Sequence, residues 1–312
     1  MLKTILWRIF DAIPTLILVL TLVFVALRIL PGDTALAVLG EHASAEQLAN
    51  FRQKTGLDQP IWKQYIDFLI NSAQFNFGNS LSTNFSVAQL VKLNLPYTIE
   101  LTIAATIIGT VIAIPIGVAS AVHKGEWIDN SSRFFSLLGY AIPDFFLGAV
   151  LLIVFALNLG WFPISGGGEG FADKLWHLAL PALALGLIKA AFTCRLTRSS
   201  LLEVNTKDYV RTARAKGASE SRVIYRHALR NALLPIVTGL ALAILSTLSG
   251  SVAIELIFSR PGVGSMLVGA IESRDYPVVQ AGIVVFALFV VLVNLVMDIL
   301  YSLIDPRVGH TS

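Results

Sequence analysis

NTKDYVRTARAKGASESRVIYRHALRNALLP (Asn205–Pro235) is a polar, basic stretch set between two long apolar runs. From Arg195 to Asn231 the chain carries nine Lys or Arg against three acids, a composition that cannot lie inside a hydrocarbon layer and that the positive-inside rule assigns to the cytoplasmic side. Its spacing predicts two short helices and a turn. Asn205 is placed to cap the first helix, with Asp208 three residues on as the reciprocal partner of a capping box. Tyr209, Val210 and Ala213 recur at helical spacing and give that helix an apolar side. Lys216 and Gly217 read as its end, a cation in the last turn followed by a residue free to take positive φ. Ser219 is placed to cap the second helix, with Glu220 in its first turn. On that helix Arg222, Arg226 and Arg230 fall one above the other. Like charges stacked in this way cost roughly a few tenths of a kcal/mol per pair, so the stretch calls for an anionic partner: lipid headgroups or an acidic protein surface.

The rest of the composition explains why such a stretch is an island. Of 312 residues, 55% are hydrophobic and 14% charged, with a mean hydropathy of +0.73. Soluble domains average about 25% charged residues, so this is an integral membrane protein. The one cysteine, Cys194, excludes an intramolecular disulfide and reads as a buried, inert thiol.

Six apolar runs are long enough to cross a bilayer: 9–30, 97–122, 134–159, 175–194, 232–257 and 278–304. The first is read as a span rather than a secretory signal. The expected division is an N-terminal segment with the first span (1–30), an extracytoplasmic segment (31–95), a five-helix core (96–304) with its cytoplasmic segment at about 200–231, and a tail (305–312). With both termini inside, fourteen Lys or Arg fall on inner segments and seven on outer ones, four of the seven in the long 31–96 stretch, and that asymmetry sets the orientation. Within 55–73, Ile61, Tyr65, Phe68 and Leu69 share one face of a short amphipathic helix. SGGGEG (165–170) is not followed by Lys-Ser/Thr and reads as a flexible turn, not a phosphate loop.

DYVRTARAKGASESRVIYRHALRNALLP (208–235) resembles the cytoplasmic "EAA" loop of importer-type ABC transporter permeases, in the form found in the oligopeptide, dipeptide and nickel group. The general pattern is Glu-Ala-Ala, three residues, Gly, nine residues, Ile-x-Leu-Pro. Gly217 matches the glycine and Ala213 the second alanine, while Arg211 and Thr212 stand where Glu and Ala would. His227 to Arg230 stand where Ile-x-Leu-Pro would, and Leu234–Pro235 arrive later; both departures are usual for the peptide-type branch. Further matches are Gly78-x-Ser80, Leu95-Pro96-x-Thr98-x-Glu100-Leu101, Leu159-x-Trp161 to Gly166, Pro261-Gly-Val-Gly264, Arg274-Asp-Tyr-Pro277 and Asp305-Pro-Arg307, so the resemblance covers essentially the whole chain.

The resemblance implies an all-α type I ABC importer (MetI-like) permease fold of six transmembrane helices, with an extracytoplasmic insert after the first. It implies that Asp208, Tyr209, Arg211, Ala213, Ala215, Lys216, Gly217, Ala218 and Ser219 form a coupling helix that docks on an ATPase subunit. It implies a second homologous permease, two ABC ATPase subunits and an extracytoplasmic substrate-binding protein as partners, with membrane lipid around them and no nucleic acid. ATP and magnesium then belong to the ATPases, this chain binds no cofactor, and the membrane is a bacterial or archaeal inner membrane. The cargo implied is a di- or oligopeptide, with nickel complexes, glutathione and oligosaccharides as the branch's other cargoes.

No catalytic constellation is legible. The five histidines stand at no metal-ligand spacing, and there is no Walker motif. Ionisable residues within spans are functional candidates by default. Asp144 is read either as a structural interhelical hydrogen bond or as part of a transport path. Asp298 is read as structural. Asp11, Arg28, Glu100, Lys189 and Glu255 lie near span ends and are read as interfacial. Ser246, Ser249 and Ser251, with Thr247 and Gly250, either line a wet path or mark close helix packing. The competing classes are a secondary transporter, which would work without ATP, and an anchor with no path.

Overall fold

A computed structural model describes residues 2–29, 34–40 and 42–304. Residues 30–33 and the expected tail at 305–312 lie outside the described residues, as do the side chains of Asp11 and Asp298. The described chain is helical, with one isolated bridge, Asn79 to Ser86. Helices α1 (Leu2–Ile29), α2 (Thr34–Leu39), α3 (Ala45–Thr55) and α4 (Ile61–Ala73) precede the long α5 (Val87–Val122). Then come α6 (Trp127–Ala141), α7 (Asp144–Leu151) with a π-helical continuation over Leu152–Asn158, and α8 (Gly170–Val204). α9 (Asp208–Ala215) and the single turn α10 (Glu220–Arg222) lead through a second π segment (Val223–Ala228) into α11 (Leu229–Ile257). α12 (Val263–Glu272) and α13 (Tyr276–Ile304) complete the order. Four of these helices are long and apolar enough to cross a membrane, five if the bent pair α6–α7 counts as one span, and Ile13–Ala26 of α1 is a shorter apolar stretch. At 1.5 Å per residue, 35-residue α8 is about 50 Å long against a hydrocarbon core of about 30 Å, so its basic end, Arg195 to Val204, continues as helix beyond the apolar span.

The chain separates into two compact units, 1–97 with 261–295, and 98–260 with 296–312. In the first, Phe24 of α1 meets the rings of Tyr65 and Phe68 at 5.3 and 5.8 Å, which fixes the inner face of α4. Arg28, in the last turn of α1, lies 4.7 Å over the Phe24 ring and donates to Gln64 Oε1. Ile61, expected on the inner face, is exposed together with Trp62, Ile66 and Ile70. Two of the resemblance motifs meet here. The buried Asp275 of Arg274–Pro277 accepts from the Ser80 and Ser82 hydroxyls and from Ser82 N–H.

In the second unit, a core of Leu101, Ala105, Leu151, Leu185, Ile254 and Phe258 joins α5, α7, α8 and α11. Glycines set how closely α5 and α8 approach. A Cβ on Gly117 would lie 2.7 Å from the Cys194 carbonyl oxygen and from Thr197 Cβ, and one on Gly186 would lie 3.0 Å from the Ala105 carbonyl oxygen. Small residues permit this contact where lipid offers no hydrophobic drive between helices. Gly117→Leu is therefore expected to destabilise the protein by about 1–3 kcal/mol through overpacking, read as a lower melting temperature of the detergent-solubilised protein.

The third apolar run is not one straight span. α6 and α7 meet at a bend of 101°. Ile142 is extended (φ −90°, ψ 123°), as the residue before a proline prefers, and Pro143 has no N–H to offer the Gly139 carbonyl. α6 also inverts soluble amphipathicity: Asp129, Ser132 and Ser136 are buried while Phe134, Phe135, Leu137 and Leu138 are exposed. Ser132 lies 3.4 Å from the buried Cys194 sulfur.

Candidate functional site

The basic segment folds as two helical pieces about a glycine turn, with changes at its entry. α8 runs to Val204, so Asn205 ends that helix (φ −62°, ψ −18°) and does not cap the next. The extended residue before α9 is Lys207, and α9 has no side-chain cap, so the expected Asn205–Asp208 capping box is absent. The α8 core packing drives this, since it holds Leu201 buried and carries the helix past the local signal. At the other end Gly217 has φ +81°, its N–H bonds the Arg214 carbonyl, and Ala218 N–H bonds Ala213. A left-handed residue closing the last turn this way is what glycine supplies without strain. Ser219 is extended (ψ 146°) and begins α10, without a side-chain cap bond. Across the turn, Arg214 grips Glu220 with two hydrogen bonds, Nε to Oε1 at 2.8 Å and Nη2 to Oε2 at 3.3 Å. Both are surface groups, so the pair orients the turn more than it stabilises it.

Val210 and Val223 are fully buried and anchor the segment. Asp208, Tyr209, Arg211, Ala215, Lys216, Gly217 and Ser219 are exposed, and Ala213 and Ala218 half-buried, so seven of the nine expected docking residues face outward. Partial desolvation raises the Tyr209 phenol above its ordinary value, with Lys207 opposing. Arg222, Arg226 and Arg230 are exposed too, but the π segment at Val223–Ala228 replaces α geometry between them.

A brace that the sequence reading missed lies on the same side of the chain order. Asp129, 1% exposed, accepts two hydrogen bonds from Arg198 (Nη2 to Oδ2 at 2.8 Å), one from Ser120 Oγ at 2.7 Å and one from Gly125 N–H at 3.0 Å. It ties the ends of α5, α6 and α8 together just before the basic segment begins. The legible signal was the polar stripe Asp129, Ser132, Ser136 on an otherwise apolar helix.

Asp144, by contrast, lines a cavity of about 510 Å³ at the α6–α7 break, with Tyr140, Lys189, Phe192, Leu242 and Ser246. Lys189 Nζ donates to Asp144 Oδ2 at 3.2 Å. Lys189 is therefore not interfacial; it is the partner of Asp144. Gly250 makes room for that carboxylate, since a Cβ there would clash with Asp144 Oδ2. Of the expected path residues, Ser246 lines the cavity and Ser249 is exposed, whereas Ser251 is fully buried and donates to the Leu248 carbonyl. Glu255, expected at an interface, is fully buried and accepts from Thr98 Oγ1 at 2.7 Å, while Arg260 Nη2 donates to Glu100 at 3.2 Å.

A helical membrane chain with an exposed, glycine-closed helix pair between α8 and α11 has matches among known families. The model for "binding-protein-dependent transport system inner membrane component" matches residues 113–310, and that for the N-terminal region of such components matches 1–102. The chain belongs to this family. The permease is 41% identical over 322 residues to the di/tripeptide transport system permease protein DppB of Pseudomonas aeruginosa (strain UCBPP-PA14), covering 96% of each chain. It is 40% identical over 310 residues to the glutathione transport system permease protein GsiC of Escherichia coli (strain K12), covering 99% of this chain and 100% of the other. Among solved structures, chains of the MetNI methionine ABC transporter in inward-facing conformations match with TM-scores of 0.57 and 0.55, each over 70% of the permease and 97% of the matched chain. At 19% and 17% identity these establish the fold, a MetI-like importer permease. The permease is thus a multi-pass inner membrane protein of the ABC importer type, a class that works with ATPase and substrate-binding partners.

Proposed function

We propose that this permease forms one half of the translocation path for di- or oligopeptides, paired with a second, homologous permease. Two ATPase subunits bind ATP and magnesium and hydrolyse ATP, an extracytoplasmic binding protein delivers the cargo, and this chain binds no cofactor. Six spans place both termini in the cytoplasm and residues 31–95 outside. The observation that carries the coupling role is the outward face of α9 closed by Gly217: seven exposed residues on a short basic segment anchored by buried Val210 and Val223. Closure of the ATPases on ATP moves the docked helix, and packed spans respond as two-state elements, alternating the path between inward-open and outward-open. A glutathione cargo is the second reading, supported by the relative named for it. Co-purification of the tagged permease from its native membrane, followed by uptake in proteoliposomes, tests the whole. A second permease, an ABC ATPase and ATP-dependent uptake of labelled peptide are expected. A chain that comes out alone and drives uptake on an ion gradient contradicts it.

A further inference from the structure

The ion pairs Asp129–Arg198 and Asp144–Lys189 differ in how fully they are satisfied. Asp129 has both oxygens engaged, by Arg198, Ser120 and Gly125, and is 1% exposed. The Asp144–Lys189 pair makes a single contact, Nζ to Oδ2 at 3.2 Å, and its side chains are 23% and 12% exposed. Neither Asp144 Oδ1 nor the other two ammonium protons has a hydrogen bond among the described residues. Charges held within a span and left with open valences are costly unless something completes them. Both groups line the cavity of about 510 Å³, within the range of roughly 300–1,000 Å³ typical of small-molecule sites. The remaining wall is mostly apolar, with Ile188, Phe192 and Leu242 among its lining residues, and it includes Ser246.

We propose that Asp144 and Lys189 form a subsite for a zwitterion, taking the α-ammonium of a peptide on the aspartate and its carboxylate on the lysine. The inference rests on the peptide-import reading above. The exchange is charge-neutral throughout: the ligand's ammonium replaces Lys189 at Asp144, its carboxylate replaces Asp144 at Lys189, and no net charge is added to the span. A ligand carrying only one of these charges leaves the opposite residue unpaired, which is a strong penalty where water is scarce. The apolar wall accepts any side chain, so the subsite reads the peptide's two ends and not its sequence. The broken helix suits this use, because the bend at Ile142–Pro143 is what opens the cavity beside Asp144.

The test is equilibrium binding of labelled dialanine to the assembled permease–ATPase complex in nanodiscs, without the binding protein. Binding is expected to fall at least about tenfold in the neutral double variant Asp144→Asn/Lys189→Met, which removes both charges together. In the wild-type complex, N-acetyl-dialanine amide, which lacks both charges, is expected not to compete, and this arm needs no variant to fold. Absence of dialanine binding to the wild-type complex, equal binding by the double variant, or full competition by the blocked peptide would each overturn the subsite and leave a pair solvated by water only. Uptake of dialanine with the binding protein present is measured alongside. If uptake is normal while the subsite arms fail, only this inference falls; if the wild-type importer takes up no peptide, the peptide-import reading fails.

Discussion

Asp129→Ala is expected to destabilise the permease by about 3–5 kcal/mol, because it leaves Arg198 half-buried with its charge unpaired and strands the Ser120 and Gly125 donors. The carboxylate sits where the ends of α5, α6 and α8 converge, so the damage is expected to spread to the segment that follows α8. The measurement is the unfolding midpoint of detergent-solubilised protein, with the amount of folded protein in the membrane as a second readout. Asp129→Asn keeps the shape and one acceptor and is expected to be milder. The double variant Asp129→Leu/Arg198→Met removes both charges and is expected to recover much of the loss, since replacing a buried pair with apolar groups of similar volume is often neutral. A double variant no more stable than Asp129→Ala would mean that something other than the unpaired charge sets the cost.

Gly217→Val is expected to reduce ATP-dependent uptake more than tenfold while the spans stay folded. A Cβ at Gly217 meets nothing within 4 Å, so the effect does not come from the β-carbon clashing within the chain. It comes from φ +81°, which a β-branched residue adopts only at a cost of about 1–2 kcal/mol, enough to favour re-threading of the turn between α9 and α10. Re-threading breaks the Arg214–Glu220 grip and turns the exposed face of α9 away from its docked orientation. Gly217→Asn is the control, because asparagine tolerates the left-handed region and is expected to retain most of the uptake. Equal loss in both variants would mean that the added side chain, not the backbone, blocks docking.

Local chemistry was legible in the sequence. The Lys216–Gly217 stop and the buried Val210 depend on residues within a few positions of each other, and they read correctly from spacing alone, whereas Ser219 starts the next helix without the side-chain cap expected of it. Long-range packing was not. Asn205 carries a sound capping signal, but α8 is held by its own buried face and runs through it. Nothing beside Gly117 in the second apolar run signals its role, which is the close approach of Thr197 and Cys194, about eighty residues away in the chain. The Ala141-Ile-Pro-Asp144 sequence was compatible with a tolerated proline in a continuous span. The extended Ile142 before Pro143 permits the bend, and the packing of α7 against α8 and α11 selects it over a continuous span. For the same reason Asp144 could be noticed as costly but not matched to Lys189, and Asp129 could not be matched to Arg198.

Cross-linking from Ala215→Cys tests the docking of α9 most directly. The permease has one native cysteine, the buried Cys194, so the introduced thiol is the only exposed one to carry a photoactivatable maleimide. Illumination in native membranes is expected to join the permease to an ABC ATPase subunit, and the same label at Trp62→Cys, on the exposed face of α4, is expected not to. An ATPase adduct absent at position 215, or equally abundant at position 62, would contradict the assignment of α9 as the coupling helix.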